Sequence, residues 1–225
     1  MSSVTAILVV LTIVAFLTFD WMRSRRHAVR ERVSKPSIAD AIGPEAFARR
    51  EGLFYSPGHT WARLESDGSV RVGIDDFARR LLGRVDHIEV APTGVSLASQ
   101  DAAFVVHQGA KSVGFAAPVE GVVTAVNQAA LLDPEGVRRD PYESGWLVTL
   151  RPKRLAANLR SLRVGDDAAR WMREEVSRLR DFLAEQVPAD ALGATLHDGG
   201  VPADGLLEHF DAPVWERFES EFLAS

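Results

Sequence analysis

The chain has 225 residues and a net charge of −5, which argues against a nucleic-acid partner because neutralising phosphates needs a basic face. With 46% apolar and 25% charged residues it can bury a real core. It has no cysteine, so disulfides, thiolate metal sites and cysteine nucleophiles are excluded outright.

The first element is apolar. The run VTAILVVLTIVAFLTF, Val4 to Phe19, is uncharged, and Trp21 and Met22 continue it past Asp20. As a helix, Val4 to Met22 would span roughly 28 Å, about one hydrocarbon core. A secretory signal would need a basic stretch before the run and a small-residue cleavage site after it, and neither is present. Instead RSRRHAVRERVSK follows, with six Lys/Arg and one Glu between Arg23 and Lys35. Positive flanks stay in the cytoplasm. Residues 1–22 are therefore expected to form a single-pass anchor in the inner (cytoplasmic) membrane, with the N-terminus outside and the soluble part on the cytoplasmic side. Val4, Leu8, Leu11, Phe16 and Phe19 would face lipid, with Trp21 at the headgroups.

Residues 23–53 read as a basic juxtamembrane segment and linker. HTWARLE and SVRVGI alternate apolar and polar around SDG, which predicts a β-hairpin. DDFARRLLG opens on acids and stops at Gly83, a helix of one to two turns; Asp75 and Asp76 suit its positive end better than they suit acid–base chemistry. RVDHIEV is a further strand. VVHQGAKSVGFAAPVEG, Val105 to Gly121, gives two strands around a tight turn with Lys111 near the tip. GVVTAVN and SGWLVTL complete a set of short strands punctuated by Gly and Pro.

From Arg151 onward the pattern changes. Ala168, Met172, Val176, Leu179 and Leu183 make one face of an amphipathic helix, with Asp166 or Asp167 as its cap. VPADAL (Val187 to Leu192) recurs as VPADGL (Val201 to Leu206), two turns that each start a short helix. The final helix aligns Trp215, Phe218 and Phe222, either as core packing or as partner-docking residues.

Four segments in order carry a resemblance: HTW (His59, Trp61), VGIDDFARRLLG (Val72 to Gly83), AAPVEGVVTAVN (Ala116 to Asn127) and DPYESGWL (Asp140 to Leu147). Residues 54–162 resemble the H protein of the glycine cleavage system, the lipoyl-carrying shuttle. The resemblance implies a fold that is mainly β with α additions: a lipoyl-domain-like β-sandwich (barrel-sandwich hybrid), followed by a helical C-terminal extension over 163–225. It also implies a hairpin presenting a lipoylated lysine. Counting from Pro118 and from Phe104 to Val106, the family's lysine position falls on Ala110, so Lys111 stands one residue beside it; the family's acid and serine ahead of the lysine are replaced by His107 and Gln108. Successive side chains of a strand point to opposite sides, so a shift of one place reverses direction.

The six histidines (His27, His59, His87, His107, His197 and His209) show no close His/carboxylate spacing of a metal site, and no nucleophile elbow, phosphate loop or dinucleotide fingerprint occurs. The reading is a non-catalytic, membrane-anchored accessory subunit without cofactor, metal or small-molecule substrate. Its partners would be the lipid bilayer and a larger membrane protein complex, such as a respiratory or photosynthetic electron-transfer assembly. The alternative is a lipoylated carrier that uses lipoate on Lys111 to shuttle groups or electrons for a membrane-associated oxidoreductase. A catalytic domain in the C-terminal extension is a third reading.

Overall fold

The computed structural model describes residues 47–186 and 204–223. The anchor segment and the first VPAD copy lie outside these residues. Among the described residues no helix is long and apolar enough to cross a membrane.

The chain enters at Phe47 and forms β1 (Phe54–Tyr55) and the hairpin β2 (Thr60–Leu64) and β3 (Val70–Ile74). Gly68, at φ +79, closes the β2–β3 turn, and Asp67 accepts from the Ser69 amide at 2.9 Å. The next segment is the helix α1 (Asp76–Leu82). Asp75 caps it by accepting from the Ala78 amide at 3.0 Å, and Gly83 ends it at φ +72. Both ends fall where the sequence placed them.

Six strands follow: β4 (His87–Val90), β5 (Ser96–Leu97), β6 (Ala102–Gln108), β7 (Lys111–Ala116), β8 (Gly121–Val126) and β9 (Val148–Pro152). The nine strands assemble into a six-stranded sheet ordered β1-β2-β3-β9-β8-β5 and a three-stranded sheet ordered β4-β6-β7. The fold is mainly β with helices added. Between β8 and β9 lie two short helices that the sequence reading did not place, α2 (Gln128–Leu132) and α3 (Pro134–Arg139).

The DPYESGWL segment docks on β2–β3. Trp61 is fully buried and its indole donates to the Pro141 carbonyl at 3.0 Å. A Cβ at Gly73, its cross-strand partner, would lie 2.7 Å from the Trp61 ring, so this pairing needs glycine. The Tyr142 hydroxyl accepts from the Asp76 amide at 3.0 Å and donates to the Ala48 carbonyl at 2.7 Å. One tyrosine thus ties the start of α1 to the incoming chain.

After β9 come α4 (Leu155–Leu159) and the long helix α5 (Gly165–Gln186). The apolar face expected for α5 is buried at Ala168, Met172, Val176, Leu179 and Leu183, and Trp171, Phe182 and the carboxylate-bearing Glu175 are buried with it. The C-terminal segment is a short 3-10 turn (Leu206–His209) and α6 (Ala212–Phe218), which runs into a π-helical turn (Glu219–Leu223). Residues on both sides of position 163 share one apolar core.

Trp215, Phe218 and Phe222 resolve in favour of core packing. They are 4%, 0% and 3% exposed, so they do not form an open docking stripe. Phe218 and Phe222 stack on each other at 5.0 Å and meet Phe182 of α5 edge-on, and Phe222 also reaches Phe77 of α1. Covering this much aromatic surface stabilises the fold relative to leaving it in water.

Candidate functional site: the hairpin tip and its cover

The β6–β7 hairpin pairs Gln108 with Lys111 across a two-residue turn, Gly109–Ala110. Gly109 sits at φ +58 and Ala110 is not in the left-handed region, the pattern of a II′ turn that matches strand twist. Asp86 holds the tip by accepting from the Gly109 amide at 2.7 Å. Ala110 is exposed at the apex, so the position matched to the family's lysine ends in a methyl group.

Lys111 points the other way. As the cross-strand partner of Gln108 it shares that residue's face, and Gln108 is buried, its amide donating to the Leu82 carbonyl at 3.1 Å. The lysine's ammonium reaches the C-terminal segment, donating to the carbonyls of Phe210 at 3.0 Å and Glu208 at 3.4 Å. It also stands 4.6 Å from the centroid of the Trp215 ring. A Lys ammonium has three donors; here two meet carbonyls and the charge faces an aromatic surface. The sequence reading treated Lys111 and Trp215 separately, and the fold brings them together. Lys111 is half-buried and tied down rather than free at the tip.

The cover over this face is itself held at several points. The Trp215 indole donates to the Leu207 carbonyl at 2.7 Å, Gly205 donates its amide to the Arg80 carbonyl at 2.7 Å, and Glu208 accepts from the Arg84 amide. Farther along the hairpin, the Gly114 amide donates to Glu219 Oε1 at 2.9 Å. A Cβ at Gly83 would collide with Gly205 and Glu208, so the residue that ends α1 also lets the C-terminal segment close in.

A second cluster escaped the sequence reading. His59, fully buried and at φ +58, is the one non-glycine residue with positive φ among the described residues. Its Nδ1 donates to Asp75 Oδ2 at 2.8 Å, its ring stacks on Phe77 at 4.1 Å, and its Nε2 lies 3.8 Å from Glu175 Oε2 on α5. Burial alone would lower the imidazole pKa, but Asp75 and then Glu175 overcome that and push it up to about 9. Desolvation raises the Glu175 carboxyl, while His59 and Arg178 together hold it below the ordinary range. Trp171 and Arg178 complete its shell, donating at 3.1 and 2.7 Å. Sealed from solvent, the cluster cannot meet a substrate; it bolts α5 to the β-domain. The sequence showed His59 in its HTW motif and Asp75 as a helix cap, but no spacing rule joins either to Glu175.

Known proteins match the same region. The family model described as glycine cleavage H-protein covers residues 53–175. The glycine cleavage system H protein 2 of Pseudomonas aeruginosa is 43% identical over 141 residues, covering 63% of this chain and 95% of that protein. The glycine cleavage system H protein of Psychrobacter cryohalolentis is 39% identical over 104 residues, 46% of this chain and 82% of its own. A solved glycine cleavage system H protein from Mycobacterium marinum aligns at 28% identity with a TM-score of 0.44, over 47% of this chain and 87% of that one. With more than half of its residues under the family model and the HTW, AAPVEG and DPYESGWL segments in place around the hairpin, the chain belongs to the glycine cleavage H-protein family.

Proposed function

We propose that this chain is a non-catalytic member of its lipoyl-carrier family that has given up carriage and serves as a membrane-anchored accessory subunit. The observation that carries the reading is the hairpin tip, where Ala110 occupies the apex and the only amine on the hairpin is bound to backbone carbonyls of the same chain. A ligase needs a lysine that projects from the turn, and a lipoyl arm works by swinging from a rigid tip, which concentrates its reactive end near partner enzymes. An amine held on Glu208 and Phe210 offers neither access nor reach.

The anchor reading is supported by the uncharged Val4–Phe19 run and the six basic residues behind it. Held at a cytoplasmic membrane surface, the domain would dock onto a larger membrane complex, an electron-transfer assembly being the class considered first. Lipoate on Lys111 is the second reading, favoured by membership in the family and by an amine only one residue from the apex.

Intact-mass measurement on protein from its native host, grown with ample lipoate, separates the two. The expected result is the unmodified mass, together with migration in a large complex after gentle detergent extraction. A lipoyl increment on Lys111 would reinstate the carrier, and migration as a lone chain would dispose of the accessory role.

A further inference from the structure

The outward face of the three-stranded sheet, just behind the hairpin tip, gathers metal-ligating side chains from two strands. His87 of β4 and His107 of β6 are cross-strand partners with ring centroids 5.7 Å apart. Glu89, two residues along β4, lies on the same side of its strand as His87. Its Oε1 is 3.4 Å from Nε2 of His107 and 3.9 Å from Nε2 of His87.

Two donors bound at about 2.0–2.1 Å to one tetrahedral ion stand roughly 3.4 Å apart. One of the measured pairs already has that spacing, and the other exceeds it by 0.5 Å (3.9 − 3.4). Among the described residues no group of three or more His, Asp or Glu side chains is placed to hold a metal ion as it stands. Here the gap is small, and His87, at 62% side-chain exposure, has room to rotate and close it. His107 adds a further sign: its Nε2 is shielded from water and, although Glu89 Oε1 lies 3.4 Å away, makes no hydrogen bond. A shielded polar atom without a partner costs free energy that a ligand would recover. The strands beneath are fixed, because Ile88, Phe104 and Val106 on the inward side are buried in the core.

We propose that His87, His107 and Glu89 form a surface site for a first-row divalent cation of the zinc type. Two imidazoles and one carboxylate suit such an ion and not magnesium or calcium, which prefer shells made of oxygen. Three protein ligands leave the fourth position open to water or to a donor from a partner. The bound ion would cross-link β4 to β6 behind the apex whether or not Lys111 carries a group. Primary structure hides the site, since His107 is 18 residues beyond Glu89 and only strand pairing brings them together.

The test uses the full-length, tag-free protein stripped of metal. Zinc is titrated in competition with a chromophoric chelator, and cobalt serves as a spectroscopic probe of geometry. Zinc should bind in a one-to-one ratio, His87→Ala, His107→Ala and Glu89→Gln should each weaken it at least tenfold, and cobalt should give the intense visible bands of a four-coordinate site. Magnesium should not compete. Urea midpoints of the metal-free His87→Ala and Glu89→Gln variants should match the parent, since both are exposed surface side chains. The proposal fails if the parent takes up no zinc, or if H87A/H107A binds it as tightly as the parent does; the latter would place the ion on His27, His197 or His209.

Discussion

His59→Gln tests the buried bolt between α5 and the β-domain. In the folded chain the imidazole pKa is about 9 against an ordinary 6.5, because Asp75 at 2.8 Å and Glu175 at 3.8 Å outweigh the burial that alone would lower it. A shift of that size corresponds to about 3 kcal/mol of preference for the cation in the folded state. Since the folded pKa is the raised one, this stabilisation is fully present below pH 6.5 and drains away as pH climbs through about 9. Glutamine can keep one hydrogen bond but not the charge, and it leaves Asp75 facing Glu175 without a cation between them. The variant should therefore be less stable by about 3–5 kcal/mol near pH 6, where one partner of a buried ionic cluster is missing. The gap should narrow by roughly 3 kcal/mol toward pH 10. Urea unfolding followed by tryptophan fluorescence at pH 6, 7.5, 9 and 10 reads both quantities, and comparing parent with variant cancels titration elsewhere. A gap that stays constant across this range would mean the buried ring is neutral and the proposed bolt is only a stacked aromatic.

The hairpin and the core around it invite four further measurements. Ala110→Lys restores an amine at the apex, and in a lipoate-replete host it should gain one lipoyl increment while Lys111 stays bare; an unmodified mass would mean that His107 and Gln108 also block recognition. In acetic anhydride labelling Lys111 should react more slowly than the exposed Lys153, and equal rates would undo the tethered-amine account. Trp215→Ala should cost about 3–5 kcal/mol, the range for a buried indole, and should open the C-terminal segment to proteolysis. Gly73→Ala, which would push a methyl to within 2.7 Å of the Trp61 ring, should cost about 1–3 kcal/mol by the same unfolding assay.

Local rules made much of this molecule legible. Asp75 and Gly83 bracket α1 because a cap acceptor and a residue free to take positive φ are visible in the sequence itself. The β2–β3 hairpin announced itself through alternation around Asp67 and Gly68. The offset of Lys111 could be read by counting, and strand alternation gave its consequence: the side chain shares the inward face with Gln108. What stayed hidden was set by distance along the chain. Lys111 meets Phe210, His59 meets Glu175, and neither contact leaves a mark on the spacing of nearby residues. The aromatic stripe of α6 was visible, but its destination was not, since an amphipathic helix looks the same whether its own chain or a partner covers it.

The bond from Gly114 to Glu219 bears on how the molecules behave together. β7 lies at the end of the three-stranded sheet, where a strand leaves its outer row of amides and carbonyls unpaired and invites another copy to pair. A carboxylate side chain occupies one of those amides, and the π-helical turn behind it stands in the way of an incoming strand. If the proposed anchor confines the chains to two dimensions, they would collide often and in similar orientations. A shielded margin on each would then keep neighbours from zipping into a shared sheet, so that shortening the C-terminus would first be felt as clustering in the membrane.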